Sequence, residues 1–185
     1  GNEQYEDLQG VAALWAGMKA EARLRRLVDS VLFIEQPVKR SRALERKVEG
    51  IDKPVIIDES DDSLDAFPRA KALGYRGVSS KTCKGLYKSL INRARCAHWQ
   101  ATGGGTFLMS AEDLTIQAGL ALQQDLALVS LLGITHVERN GHHYVDGFGT
   151  APAEEAQAFA NAHPSLYETT TRGRPHLAVR HGQLD

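Results

Sequence analysis

The sequence predicts an α/β fold of the TIM-type (β/α) barrel kind, incomplete on its amino-terminal side. Two short runs, VLFIEQP at 31–37 and PVIIDES at 54–60, are apolar on both faces. Parallel strands have that character when they are buried between a barrel interior and outer helices. The segments between and after them carry apolar residues at helical spacing. Charged groups recur at the strand ends at an even interval: 23 residues separate Glu35 from Asp58, and another 23 separate Asp58 from Lys81. That interval is the length of a strand, a loop, a helix and a loop.

Charged side chains at the C-terminal ends of successive parallel strands are where (β/α) barrels keep their catalytic groups. Side chains alternate along a strand, so Val31, Phe33 and Glu35 share one face, Ile56 and Asp58 another, and Ser79, Lys81 and Cys83 a third. Pro37 ends the first strand. Two carboxylates and one amine placed in this way suggest a divalent metal beside a lysine acid/base.

Taken in order, residues 4–30 read as the first helix, on the spacing of Leu8, Val11, Ala12, Leu14, Trp15 and Met18, then Leu24, Leu27 and Val28. Arg23, Arg25 and Arg26 near its end suit the helix dipole and otherwise form a solvated face. RSRALERKVE at 40–49 reads as a short charged helix, and Asp52-Lys53-Pro54 turns the chain into the Asp58 strand. Ser60-Asp61-Asp62-Ser63 looks like an N-cap with an acidic first turn. It opens a helix through Leu64, Phe67, Ala70 and Leu73 that Gly74 closes.

The Lys81 strand follows. In a straight strand positions 81 and 84 face opposite sides, so one of Lys81 and Lys84 is expected inward and the other in the loop beyond or over the site. Residues 85–99 form the next helix, with Leu86, Leu90, Ile91 and Ala94 on its buried side. Cys96 and His98, at i and i+2, diverge on a helix and read as filler rather than a metal pair. Gly103-Gly104-Gly105 lacks the Lys-Ser/Thr of a phosphate-binding loop and reads as a turn. The strand TFLMSAED then ends in Glu112 and Asp113, which also suit the start of an apolar helix over 113–132. Residues 134–138 are the last barrel strand; His142 and His143 beyond it are adjacent and point apart. An alanine-rich helix spans 151–168, and a short strand LAVRH lies in the tail with little to pair with.

Composition sets the bounds. The 185 residues carry a formal charge of −1 and are 42% hydrophobic, which fits an ordinary globular domain with a real core. No apolar run approaches the ~18 residues of a membrane span, and no N-terminal signal pattern is present. Cys83 and Cys96 cannot make a disulfide framework and fit a reducing cytoplasm. Between Ala66 and Ala111 there are eight basic residues and no acidic one, the pattern that best favours a nucleic-acid surface. Few aromatics accompany them, no RNA-binding signature is present and the whole chain is near neutral. A local positive field beside an acidic metal site and an anionic substrate is the better reading.

FIEQP, then IIDES, then the lysine of GYRGVSSKTCKG resemble the enolase superfamily, in its mandelate racemase and muconate-lactonizing branches. The resemblance spans roughly residues 1–149, the C-terminal part of the barrel. Residues 150–185 would then be the C-terminal helix and strand that pack back toward a capping domain. A complete barrel takes ~250 residues, so the resemblance implies a longer polypeptide. It places the capping domain, the first barrel strands and one metal-ligating Asp directly before Gly1 outside these residues.

Carried over residue by residue, the resemblance makes Glu35 and Asp58 ligands of Mg²⁺, with Glu59 a rival for the role of Asp58. It makes Lys81 a proton-transfer residue and Glu112 a group near the substrate. No His stands in TFLMSAED, which favours the lysine-based chemistry of the muconate-lactonizing type. The implied activity is abstraction of a proton α to a carboxylate through an Mg²⁺-stabilised ene-diolate, by a lyase or isomerase (racemase, epimerase, dehydratase or cycloisomerase). The implied partner is a small carboxylate such as an acid sugar, a hydroxy acid or an amino acid derivative; no membrane or nucleic acid is involved, and the protein is expected to be a cytoplasmic homo-oligomer. The alternative is a degenerate barrel that keeps Glu35 and Asp58 and acts as a binding protein.

Overall fold

A computed structural model describes residues 2–112, 117–139, 144–169 and 173–184. The chain divides into two compact units, residues 1–110 and 111–185.

The first unit begins with α1 (Leu8–Ala20), whose first turn is capped by Asp7, its side chain accepting a hydrogen bond from the Gly10 amide at 3.0 Å. Leu8, Val11 and Trp15 are its buried stripe, and Leu8 and Val11 pack with Val38 and Ala43. The single helix expected over 4–30 is broken. Glu21 is extended and its carboxylate accepts from the Arg23 amide, opening a 3₁₀ turn (Ala22–Leu24) that leads into α2 (Arg25–Ser30). An acid that caps the next turn cannot also continue the previous one.

Strands β1 (Ile34–Glu35), β2 (Val55–Ile57) and β3 (Gly77–Ser80) pair in parallel, and the sheet continues in sequence order through β4 (Leu108–Glu112). Every residue of β2 and β3 is buried, in keeping with a sheet covered on both faces. Gly77 is required where β3 meets β4, because a Cβ there would stand 2.5 Å from the Leu108 carbonyl oxygen and 2.7 Å from Ile56 Cγ2. Residues 3–5 run beside 36–38: the Glu3 and Tyr5 amides donate to the carbonyls of Gln36 and Pro37 at 2.7 and 3.0 Å.

The segment 40–49 is a set of turns, not the helix its composition suggested. The groups a helix would use are bound elsewhere: the Arg40 amide donates to Glu3, the Ala43 carbonyl accepts from the buried Tyr75 hydroxyl at 2.7 Å, and the Val48 amide donates to Leu73. Burial pushes the Tyr75 hydroxyl up to about 12, so it remains a donor. Helix α3 (Ala66–Ala72) starts later than Ser60, with Asp65 at its N-cap. Gly74, at φ +95°, takes the left-handed turn after its end.

Helix α4 (Leu86–Ala101) buries Ser89, Asn92 and Cys96 rather than the aliphatic side. Leu86, Leu90 and Ile91 are 47%, 36% and 39% exposed, which reverses the expected face. The cause is polar: Ser89 Oγ lies 3.0 Å from Ser80 Oγ, and Asn92 donates to the buried Asp61 carboxylate. Phe67, Trp99 and Phe107 close this side of the core, with Phe67 edge-on to both other rings and those two tilted against each other.

In the second unit the end of β4 pairs in parallel with β5 (Val137–Glu138), and α5 (Leu120–Leu132) precedes β5. Leu122, Phe148, Ala156 and Tyr167 form its core. Helix α6 (Ala153–Ala162) stops well before 168, since His163 precedes Pro164 and that position disfavours helix. The chain then forms β6 (Tyr167–Thr169), which pairs antiparallel with β7 (Pro175–Leu177). The strand expected at LAVRH (177–181) forms earlier in the chain, as β7, which shares only Leu177 with it; its partner β6 begins at residues 167 and 168, inside the span expected to be helix. Among the described residues no helix is long and apolar enough to cross a membrane.

Candidate functional site

Three strand ends of the first unit build the site. Glu35 closes β1, Asp58 is the residue after β2, and Lys81 is the residue after β3. Because the strands are parallel, the three groups emerge at the same end of the sheet. Asp58 and Lys81 are 2% and 5% exposed, and Glu35 is half-buried. Glu35 and Asp58 each offer a carboxylate oxygen within 4.8 Å of the other. Lys81 Nζ donates to Asp58 Oδ2 at 2.6 Å.

Of the two places expected for Lys84, in the loop beyond or over the site, it takes the second. Its Nζ donates to Asp58 Oδ1 at 2.7 Å, to the Asp58 carbonyl at 2.7 Å and to the Ser79 carbonyl at 2.9 Å. Alternation puts residues 81 and 84 on opposite sides only in a straight strand. The chain instead leaves β3 through a 3₁₀ turn (Thr82–Lys84), which swings residue 84 back over the strand end.

The electrostatics follow from these contacts. Burial acts to raise the Asp58 carboxyl, but the Lys84 charge and the hydrogen bonds from Lys81 and Lys84 outweigh it and hold the group below the ordinary value of 3.8. Glu59 goes the other way: burial, aided by the negative charge of Asp58, raises it above the ordinary 4.5. Its Oε2 is buried and has no hydrogen-bond partner among the described residues.

A carboxyl depressed on folding stabilises the fold above its unfolded value and loses that contribution as pH falls through the folded value. Stability from Asp58 is therefore expected to hold at neutral pH and to drain away only below about pH 4. Thermal unfolding from pH 7 to pH 2 should show a steeper acid loss for the natural protein than for Asp58→Asn.

Gln36 is a member of the site that sequence reasoning passed over. It is 1% exposed and sits at φ +31°, left-handed backbone that a glutamine rarely adopts. Its Oε1 accepts from the amides of Asp58 at 2.9 Å and Ser60 at 3.1 Å, and its Nε2 donates to Ser60 Oγ at 2.9 Å and the Val38 carbonyl at 2.8 Å. The carboxamide makes all four of its hydrogen bonds, and three of them tie the end of β1 to the loop that carries Asp58. The available signal was a polar residue between a strand-end Glu and a Pro. Gln36→Leu keeps the volume but leaves two buried amides without an acceptor, at about 1–3 kcal/mol each; urea unfolding is expected to show a loss of at least ~2 kcal/mol.

Most of the basic side chains after residue 66 are engaged in contacts within the protein. Lys88 donates to the Asp61 carbonyl and lies 3.4 Å from its carboxylate, Arg95 donates to the Leu64 carbonyl, Arg76 donates to the Gly104 carbonyl, and Lys71 lies over the Trp99 ring. With Lys81 and Lys84, six of the basic groups are engaged within the protein, which argues against their being a phosphate-binding face. The N-cap expected at Ser60-Asp61 is absent for the same reason, since both residues are buried and bonded to Gln36, Asn92 and Lys88.

Glu112 closes β4 in the second unit, half-buried and in register with Glu138 of β5. Asp113, His142 and His143 lie outside the described residues. Cys96 is buried and His98 exposed, so the two diverge, and burial pushes the Cys96 thiol up to about 11.

No protein-family model matches the chain, and no curated protein matches it. Among solved structures it is similar to a mandelate racemase/muconate lactonizing protein from Herpetosiphon aurantiacus, at 19% sequence identity and a TM-score of 0.59. The likeness covers 96% of this chain and 44% of that one, so the chain spans less than half of the length of the structure it matches. At this identity the likeness shows the fold: the chain has the architecture of part of that protein.

Proposed function

We propose that these residues form the metal-and-lysine side of an enolase-superfamily active site, one that removes a proton α to a substrate carboxylate. The observation that carries this reading is the placement of Glu35, Asp58 and Lys81 at the ends of three consecutive parallel strands, with the lysine ammonium 2.6 Å from the second carboxylate. The fold likeness supports it.

The donor set suits a hard divalent cation. Two carboxylates lie within 4.8 Å of each other, and a third, Glu59, has a buried oxygen without a hydrogen-bond partner among the described residues. Oxygen ligands of this kind are those of Mg²⁺. Glu35 and Asp58 would hold the ion, with Glu59 the alternative to Asp58. When bound, Mg²⁺ supplies positive charge against the oxygens of the substrate carboxylate as the α-proton leaves.

The chain's own groups do the rest. Lys81 takes or returns the proton at its Nζ. Gln36 and Lys84 fix Asp58, from the backbone and from Oδ1 respectively, so that the ligand does not wander. Burial of Asp58 and Lys81 keeps the pair away from bulk water, where their interaction would weaken.

The test is solvent-deuterium exchange by the natural full-length protein on a panel of small carboxylates: acid sugars, hydroxy acids and N-acyl amino acids. Exchange at the α-carbon that requires Mg²⁺ is expected with at least one class. Mg²⁺ binding without exchange on any member would favour the degenerate, binding-only barrel, which two ammoniums already seated on Asp58 also suit.

A further inference from the structure

Helix α4 and the turn ahead of it meet the loop after β2 through polar groups at every step. Lys84 donates to the Asp58 carboxylate and carbonyl. Lys88 donates to the Asp61 carbonyl and lies 3.4 Å from the Asp61 carboxylate, whose two oxygens accept from Asn92 Nδ2 at 3.4 and 3.3 Å. Arg95 Nη1 donates to the Leu64 carbonyl at 2.6 Å and to Asn92 Oδ1 at 3.0 Å. Lys88, Asn92 and Arg95 stand at i, i+4 and i+7 on one face of the helix. From Lys84 onward their partners advance along the loop in the same order, at residues 58, 61 and 64.

This seam is buried: Asp61 and Asn92 are 4% and 2% exposed, while the same helix leaves Leu86, Leu90 and Ile91 outside. An apolar seam would hold the loop at the same distance from the helix, but the hydrophobic effect has no direction and barely resists a small slide. Hydrogen bonds weaken steeply once their length or angle is lost, so a polar seam fixes register as well. That register reaches the site in one turn of chain, because the Asp61 amide donates back to the Asp58 carbonyl at 2.9 Å.

We infer that the seam sets the direction in which Asp58 presents its carboxylate to the divalent cation. Asp61, Lys88, Asn92 and Arg95 are then positioning residues, acting through the loop that Asp58 begins. This rests on the metal reading above. A seam with a structural role alone would make Mg²⁺ affinity follow overall stability, whichever buried contact is removed. Positioning ties affinity to the loop. Asn92→Leu, similar in volume, removes the donor to Asp61 and should weaken Mg²⁺ binding by ~10–100-fold, the usual cost of losing a group that orients a metal ligand. Tyr75→Phe removes a buried hydrogen bond in the same unit, to the Ala43 carbonyl rather than to the loop, and should leave affinity unchanged.

Calorimetric titration of MgCl₂ into the natural full-length protein and the two variants reads the affinities, with urea unfolding to compare their stabilities. Amide hydrogen exchange over residues 58–65, followed without Mg²⁺, reads the loop by itself. Asn92→Leu should exchange faster there and bind Mg²⁺ more weakly, and Tyr75→Phe should do neither. Should Asn92→Leu fail to fold, Arg95→Met loosens the half-buried end of the same seam and is read in the same way. Faster loop exchange with Mg²⁺ affinity intact, or equal loss of affinity in Tyr75→Phe, would overturn the inference while leaving the metal site standing. Absence of Mg²⁺ binding by the natural protein would overturn the metal reading instead.

Discussion

Glu35→Gln is expected to abolish Mg²⁺ binding measured calorimetrically on the natural full-length protein. The substitution keeps shape, turns one acceptor oxygen into an NH₂ donor and removes one negative charge from a strand-end pair within 4.8 Å. A hard cation that dehydrates reluctantly depends on carboxylate charge, which an amide does not supply. Loss of groups that merely orient metal ligands costs 10–100-fold in affinity, so loss of a ligand should exceed ~100-fold. The fold should survive, since Glu35 is half-buried at a strand end and the clamp to the Asp58 loop is made by Gln36. Full Mg²⁺ affinity in a folded Glu35→Gln protein would remove Glu35 from the metal site.

Lys81→Met is expected to lose α-proton exchange by ~10²–10⁴-fold, the usual worth of a positioned acid/base. Under the proposed function the loss should fall on kcat, because a proton-transfer group is removed while the metal ligands are kept. Lys81→Arg should rescue little: a guanidinium keeps the charge next to Asp58 but does not give up its proton. A structural role alone would give the reverse pattern, with arginine restoring both stability and activity. Metal affinity and exchange therefore part company in Lys81→Met and fall together in Glu35→Gln.

What the sequence displayed was the part of the fold governed by local periodicity. VLFIEQP, PVIIDES and YRGVSSK are strands or strand ends in register, and Glu35, Asp58 and Lys81 stand at those ends because the 23-residue interval is one strand–helix repeat. What it hid depends on partners remote in sequence. Gln36 looks like an ordinary strand-end residue until the amides of Asp58 and Ser60 are seen on its Oε1. Lys84 looked like a loop lysine because one 3₁₀ turn is enough to defeat strand alternation.

Helix α4 shows the same limit. Its leucines suggested an aliphatic inner face, but Ser80 and Asp61 wait beneath it and draw in Ser89 and Asn92 instead. At 40–49 a plausible helical composition loses to Tyr75 and Glu3, which claim backbone groups that the helix needed. Helix α6 ends at Ala162, just ahead of a position that Pro164 disfavours for helix, which leaves residues 167–169 to pair with the strand at 175–177.

Anomalous diffraction from crystals of the natural full-length protein grown with Mn²⁺, a scattering substitute for Mg²⁺, locates the ion without reference to activity. The expected result is a peak contacted at ~2.0–2.2 Å by carboxylate oxygens of Glu35 and Asp58. A peak held elsewhere, or Glu35 and Asp58 turned from an ion that other residues bind, would contradict the assignment.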